Sequence, residues 1–296
     1  MNYLAKLINM KDKYIYLPLL LAFAVGIFLF SLRNQSPSYR LHSLMKKGAV
    51  DKQQFIDSIE FVMENGAIVV EIKNEKANFA KNYRFIFETG SPTYFSKELL
   101  LEAALVEKLE VQNNNGQSKA VSFFLTHLQI RDINFGSVGV GELQTLPPNI
   151  DGIIGANLMQ HCLWQIDYPK RKIYFASHQD FLPKQPKMHQ VSFIRNIYRI
   201  PCIYLTINNF PRRPMAWVST SKKTTVLLDQ QFSNLRYAMA FPQDSATAER
   251  LAIGTLEVQK IPTTFSLGQQ CYLGSEFLKN YVLTFDWSSR KMYIGQ

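Results

Sequence analysis

The chain has 296 residues, of which 47% are hydrophobic and 19% charged, as in an ordinary folded protein of one large or two small domains. The formal net charge is +10, and residues 1–50 contribute +6 of it through seven lysines and arginines against one aspartate. The positive charge therefore flanks the hydrophobic N-terminal segment, and the main body has no basic helix or basic-aromatic stripe that would predict nucleic-acid binding.

The first predicted element is a membrane-spanning helix over residues 14–32. This segment carries no charge, and at about 1.5 Å per residue it reaches roughly 28 Å, close to the thickness of the hydrocarbon layer. No small-residue cleavage site follows, so an uncleaved signal anchor is favoured over a removed signal peptide or a buried core helix. Positive residues lie on both sides of the segment, but a short tail before a long domain predicts a single-pass protein whose body is extracytoplasmic.

The regions on either side of this helix are predicted to be short connections. Residues 1–13 form an N-terminal tail, and residues 33–54, which are polar and basic with few strand signals, form a juxtamembrane linker. The folded body is therefore expected to begin near Phe55.

The first half of the body starts with strands and a polar turn. Residues 67–72 and 84–87 read as strands, and the second ends in Glu-Thr-Gly-Ser-Pro at 88–92. The apolar residues 97–105 predict a short helix, whereas residues 111–124 show little pattern. Further along, the apolar Gly-Ile-Ile-Gly element at 152–155 precedes another short helix and a hairpin.

An internal repeat relates this half to the next. Residues 155–175 align without a gap with residues 274–294. Each copy reads glycine, a short apolar helix, a strand ending in Asp and an aromatic residue, an Arg-Lys turn and a second strand. Asp167 and Asp286 are interpreted as turn residues of the two hairpins. The repeat predicts two related lobes, 55–178 and 190–296.

The second lobe repeats the earlier elements in shorter form. Residues 203–207 and 216–218 read as strands, and a Ser-Thr-Ser turn follows at 219–221. An apolar segment at 230–239 predicts a short helix. The turn and the repeat glycine are separated by 67 residues in the first lobe and 55 in the second, so the second lobe is expected to lack about one hairpin.

The order of these motifs resembles the pepsin and retropepsin superfamily of aspartic proteases. The resemblance rests on the Glu-Thr-Gly-Ser turn and the Ile-Ile-Gly element, and it covers roughly residues 60–296. It implies a mainly β, two-lobed pepsin-like fold built from an internal duplication, which would follow the N-terminal transmembrane helix predicted above. In that family two aspartates, one from each lobe, share a proton and activate a water, while the threonine of each turn braces the loops.

The acid positions depart from the family pattern. Glu88 replaces the first aspartate, and a reacting group displaced by about 1 Å loses on the order of a hundredfold in rate. Ser219 replaces the second aspartate and does not titrate, so no proton is shared. We expect the charge of Lys222 and Lys223 to favour ionised Glu88.

The bracing positions follow the family more closely. Thr89 and Thr220 keep the hydroxyl, and Gly90 is kept in the first turn, but its counterpart is Ser221. Asp151, next to Gly152, is interpreted as a structural residue behind the acid loop. All these assignments depend on the loops at residues 88 and 219 meeting between the lobes.

Other chemistries have little support in the sequence. The three cysteines, Cys162, Cys202 and Cys271, contain no CxxC pair, and we expect free thiols, with one disulfide left open. The histidines have no metal-ligand spacing, and no nucleotide or serine-hydrolase motif occurs. We therefore expect no cofactor and no metal, and leave the oligomeric state open.

Three functions are consistent with this pattern. The favoured one is a catalytically impaired aspartic-protease-like protein that binds extended peptide or protein segments in the cleft between its lobes. The second is a peptidase that uses Glu88 in altered chemistry, alone or in a homodimer. The third is a structural envelope protein with no cleft ligand.

Overall fold

The computed structural model describes residues 36–73, 82–101, 103–112, 118–143, 145–208, 212–229, 245–266 and 268–295. The predicted membrane segment 14–32 and the predicted helix at 230–239 lie outside these ranges. No helix within them is long and apolar enough to cross a bilayer. Contacts divide the chain into one unit over Met1–Ser43 and a second over Leu44–Gln296. Helix α1 (Pro37–Lys46) includes residues of both.

The first half of the second unit is built from mostly antiparallel strands with short helical turns. A 3-10 turn covers Lys97–Leu100, and helix α2 covers Ala156–Met159. The strands are β1 (Ala49–Val50), β2 (Ile56–Glu64), β3 (Ala67–Lys73), β4 (Asn82–Glu88), β5 (Tyr94–Phe95), β6 (Ala104–Gln112), β7 (Ser118–Ile130), β8 (Ile133–Glu142), β9 (Gly152–Gly155), β10 (Leu163–Asp167) and β11 (Lys172–Ala176).

The second half repeats this plan. A 3-10 turn at Gln179–Phe181 precedes it, and helix α3 covers Ser275–Leu278. The strands are β12 (Met188–Ser192), β13 (Ile194–Arg195), β14 (Pro201–Tyr204), β15 (Thr206–Ile207), β16 (Met215–Val218), β17 (Val226–Asp229), β18 (Ser245–Ile253), β19 (Leu256–Ser266), β20 (Tyr272–Leu273), β21 (Val282–Asp286) and β22 (Lys291–Gly295). The mainly β prediction is confirmed.

Three segments differ from their sequence-based descriptions. Residues 37–46 of the predicted linker are helical, and β1 pairs with β8 through Ala49 and Gly136. The predicted helix at 97–105 ends as a 3-10 turn at Leu100, and strand β6 begins at Ala104. The unpatterned stretch 111–124 falls in the hairpin of β6 and β7, whose tip, 113–117, lies outside the described residues.

Strand β9 of the first lobe and strand β20 of the second occupy equivalent positions in their sheets. Strand β9 pairs in parallel with β4 and antiparallel with β5. Strand β20 pairs in parallel with β16 and antiparallel with β17 in the same way. As a result, the loops that follow β4 and β16 leave their sheets in equivalent positions.

The two halves share a sheet with the strand order β12-β22-β21-β10-β11-β2. At its centre, β10 and β21 are antiparallel, and Gln165 lies opposite Thr284, its own equivalent in the repeat. Gln165 Nε2 donates a hydrogen bond to Thr284 Oγ1 at 3.0 Å. An approximate twofold axis therefore passes between these two residues and relates the lobes.

Candidate active-site loops

A glycine packs beneath each loop at the acid position. A Cβ atom on Gly155 would lie 2.2 Å from the carbonyl carbon of Pro92, and one on Gly274 would lie 2.3 Å from the carbonyl oxygen of Thr224. Ala156 N–H donates to Ser91 O at 2.8 Å, which fixes the first loop on the start of α2. No side chain fits at either glycine, because the loop backbone fills the space.

The threonines link the loops to each other across the lobes. Thr89 N–H donates to Thr220 Oγ1 at 3.1 Å, and the Thr220 hydroxyl donates to Phe87 O at 2.7 Å. The Thr89 hydroxyl donates to Val218 O at 2.8 Å. Both threonines are fully buried. The structure therefore brings the two loops face to face, and Thr89 and Thr220 brace them.

Gly90 and Ser219 are in close contact at this junction. A Cβ atom on Gly90 would lie 2.9 Å from Ser219 Cβ and 2.6 Å from Glu88 Oε1. Any side chain at residue 90 would push the loops apart. Ser221, the counterpart of Gly90, has its hydroxyl and amide close to the Glu88 carboxyl.

Glu88 lies in the interior, and only 4% of its surface is exposed. Its Oε1 accepts a hydrogen bond from Gly90 N–H, whereas no described residue forms a hydrogen bond with Oε2. Burial raises the pKa of Glu88, because a charge is poorly solvated there. The Ser221 hydroxyl, the Gly90 amide, the Ser219 hydroxyl and the Ser221 amide act in the opposite direction but do not cancel it.

The expected effect of the two lysines on Glu88 is therefore wrong. Lys222 Nζ lies 5.3 Å from the centre of the Tyr272 ring, and the Lys223 side chain passes Gly66. The dominant influence on Glu88 is desolvation, which favours the protonated carboxyl.

Ser219 is held by its own loop. It is 3% exposed, and its Oγ accepts a hydrogen bond from Lys222 N–H at 2.9 Å. This contact between a serine and the amide three residues later stabilises a turn. The position of a second acid therefore carries a hydroxyl with a structural role.

The other aspartates named above are structural as well. Asp151 Oδ2 accepts Arg84 N–H at 2.8 Å, and Asp151 O accepts Ser96 N–H. Asp167 Oδ1 accepts Lys170 N–H, and Asp286 Oδ1 accepts Ser288 N–H, each at 3.0 Å. The latter two close the hairpin turns of the repeat.

Tyr168 is a neighbour of Glu88 that the sequence did not single out. Its hydroxyl is buried without a hydrogen-bond partner among the described residues. Burial is the main cause that raises its pKa, so the phenol stays protonated. The only signal in the sequence was its place after Asp167 in the repeat.

The remaining potential metal and redox groups do not form a centre. The described residues contain no cluster of three or more His, Cys, Asp or Glu side chains arranged to hold a metal ion. All three cysteines are free thiols, two of them buried.

Comparison with solved structures places the fold among the pepsin-like aspartic proteinases. Basic 7S globulin from soybean matches with a TM-score of 0.56 and 11% identity, over 82% of this chain and 95% of that one. The aspartic proteinase from Irpex lacteus matches with a TM-score of 0.57 and 11% identity, over 82% of this chain and 97% of that one. No protein-family model and no curated protein sequence matches the chain. These likenesses define the fold.

Proposed function

We propose that this chain is a membrane-anchored, catalytically impaired aspartic-protease-like protein that binds an extended peptide or protein segment between its lobes. The proposal rests mainly on the junction between the two loops. Three hydrogen bonds link the loops, as bracing requires, whereas the two acid positions hold Glu88 and Ser219 in place of two aspartates. Residues 14–32 provide the anchor, and the body lies outside the cytoplasm.

The impairment follows from the chemistry of a single carboxyl. Peptide hydrolysis by this fold needs one group to take a proton from water while another donates one to the peptide carbonyl. Ser219 cannot act as the second carboxyl, and its hydroxyl accepts Lys222 N–H. Burial raises the pKa of Glu88, so at a given pH a smaller fraction of it is ionised and available to take a proton from water.

Binding requires less than catalysis does. Extended segments bind between β-rich lobes mainly through main-chain hydrogen bonds, which survive the loss of the reacting acids. The linked loops supply a fixed floor for such a segment.

The proposal is tested by restoring the acids. The triple variant Glu88→Asp, Ser219→Asp, Ser221→Gly recreates an acid-Thr-Gly turn in both lobes. With the full chain in detergent and a mixture of fluorogenic peptides at acidic pH, we expect no cleavage by the wild type and measurable cleavage by the triple variant. A folded triple variant that stays inactive would show that more than the acids has been lost.

A second measurement addresses binding itself. A library of extended peptides with a photo-reactive group should cross-link to residues of the loops at 88–92 or 219–222. We expect Gly90→Leu to abolish this labelling, because the side chain would occupy the junction. Wild-type protein that labels nowhere near these loops would favour the structural role.

The altered peptidase is the second candidate, and it is supported by the raised pKa of Glu88 and by its Oε2, which accepts no hydrogen bond from a described residue. It predicts that wild-type protein cleaves peptides and that Glu88→Gln does not. Activity that survives this substitution would point to a contaminating enzyme. Protease protection of the C-terminal body in intact cells or vesicles tests the proposed orientation.

A further inference from the structure

Three arginines lie on two turns of the second lobe that pack against each other. Arg195 lies in β13, Arg199 in the turn between β13 and β14, and Arg290 in the turn between β21 and β22. Phe193 N–H donates to Arg290 O at 3.0 Å. Arg195 Nη1 donates to Trp287 O at 3.4 Å. These contacts place the strand of Arg195 directly on the turn of Arg290.

Arg199 is held in a tight turn formed by Asn196. Asn196 Oδ1 accepts Tyr198 N–H at 2.9 Å and Ile200 N–H at 3.0 Å. Arg199 has a φ of 71°, which is unfavourable for a residue with a side chain. It is only 7% exposed, and its Nε donates to Gln160 Oε1 at 2.6 Å. The turn therefore fixes a guanidinium group in a largely buried position.

No described carboxylate neutralises this cluster. The ion pairs among the described residues all involve other side chains, and the remaining N–H groups of Arg199 form no hydrogen bond with a described residue. Burial and the charges of Arg195 and Arg290 lower the pKa of Arg199 to about 10. Like charges gathered at a partly desolvated site repel one another, and an anion between them would offset that cost.

We propose that Arg195, Arg199 and Arg290 form a binding site for a phosphate group. A guanidinium presents its N–H donors in a planar fork that matches two oxygens of a phosphate, and three such groups can surround one anion. The phosphate is carried either by a soluble phosphate compound or by an anionic lipid headgroup. The lipid source is consistent with the sequence, because Gln160, which accepts Arg199 Nε, donates through its own Nε2 to Met45 O at 2.6 Å, and Met45 follows the predicted membrane segment by thirteen residues.

The repeat supplies a matched control in the first lobe. Arg171 is the equivalent of Arg290: its φ is 50° against 57°, both residues are exposed, and Phe61 N–H donates to Arg171 O at 3.0 Å. The residue equivalent to Arg195, however, is Met63. Substitution of Arg171 thus removes the same charge from the same kind of turn without touching the cluster.

The test measures the thermal stability of the full chain in detergent, with inorganic phosphate replacing chloride at constant ionic strength. We expect phosphate to raise the Tm of the wild type and of Arg171→Gln by about 3 °C or more. Arg195→Gln with Arg290→Gln should lose this rise and bind phosphate at least about tenfold more weakly by calorimetry. In chloride the double variant should melt no lower than the wild type, because like-charge repulsion is relieved. Equal phosphate effects in all three proteins would overturn the proposal.

A second arm identifies the source of the phosphate. Short-chain phosphatidic acid, which exposes its phosphate, is compared with short-chain phosphatidylcholine and with inorganic phosphate. Tighter binding of phosphatidic acid, lost in the double variant, assigns the site to lipid headgroups. Equal binding of phosphatidic acid and inorganic phosphate assigns it to soluble compounds. Absence of binding by both ligands would refute the site itself.

Discussion

The two lobes share their packing contacts but differ at the positions that determine chemistry. In the first lobe the ring of Phe61 meets Tyr168 edge-on at 5.9 Å, and in the second Phe193 meets Trp287 edge-on at 5.4 Å. A glycine lies under each acid-position loop at Gly155 and Gly274, and each loop carries a bracing threonine. These shared features all serve packing or the joining of the lobes.

The differences fall on side chains that carry charge or protons. Glu88 has Ser219 as its counterpart, and Met63 has Arg195. One lobe therefore holds the buried carboxyl, and the other holds the arginine cluster. The duplicated scaffold therefore places equivalent backbone positions alike, and the two lobes differ in the side chains that occupy them.

The largest loss of stability is expected at the two glycines beneath the loops. Gly155→Ala and Gly274→Ala each force a Cβ to within 2.2–2.3 Å of loop backbone, so we expect each to lower the free energy of unfolding by about 3 kcal/mol or more. Urea unfolding followed by tryptophan fluorescence measures it.

Gly136→Ala is the control, because nothing lies within 4 Å of its added Cβ. It should change stability by no more than about 0.5 kcal/mol. A small loss of unfolding free energy at Gly274 with a large one at Gly155 would mean that the second loop can shift to accept a Cβ and the first cannot. The two loops would then not be packed equally tightly.

The two bracing threonines are expected to contribute unequally to the free energy of unfolding, by amounts smaller than those expected at the glycines. The Thr220 hydroxyl donates one hydrogen bond and accepts another, whereas the Thr89 hydroxyl takes part in one of the three bonds across the junction. Thr220→Val should therefore cost about 2–3 kcal/mol and Thr89→Val about 1–1.5 kcal/mol, since both leave buried backbone groups unpaired. Chemical denaturation of the full chain gives both values.

Thr263→Val serves as the reference for these substitutions. Thr263 is also buried, but the one hydrogen bond that its hydroxyl forms with a described residue is to Ile261 O in its own strand. We expect a cost of less than about 1 kcal/mol. Equal costs at residues 89 and 220 would contradict the observed division of hydrogen bonds between them.

Much of this junction could be predicted from the sequence because its signals are local and repeated. The turn motif at 88–92 ends a strand, and the gapless repeat assigned equivalent roles to Gly155 and Gly274. Together they predicted a mainly β, two-lobed fold and the meeting of the two loops. The structure shows that fold, and Thr89 and Thr220 make the link between the loops.

The remaining features depend on where side chains point and on which distant residues pack together, and neither can be read from the order of residues in the chain. Lys222 follows the second loop closely, yet its side chain turns to Tyr272, so its effect on Glu88 was misjudged. Strand β1 has two residues, too few for a periodic pattern. The turn that carries Arg195 and Arg199 is far in the chain from the turn that carries Arg290, and the two meet only through packing.

The smallest expected effect concerns the buried acid, and it depends on pH. Because the folded protein raises the pKa of Glu88, it binds the proton more tightly than the unfolded chain does. Stability attributable to Glu88 is therefore full below the unfolded pKa of about 4.3 and is lost as pH rises through the folded value. Glu88→Gln removes the ionisation and keeps an oxygen that can accept Gly90 N–H.

We accordingly expect Glu88→Gln to equal the wild type near pH 4 and to exceed its stability at pH 8 by on the order of 1 kcal/mol. Unfolding curves across this pH range measure the difference. Glu60→Gln, at an exposed carboxylate of β2, controls for the change of net charge and should show no such trend. A Glu88→Gln protein that loses stability relative to the wild type as pH rises would mean that ionised Glu88 is favoured in the fold. In that case the hydrogen bonds from Ser221, Gly90 and Ser219 would outweigh burial in setting the pKa of Glu88.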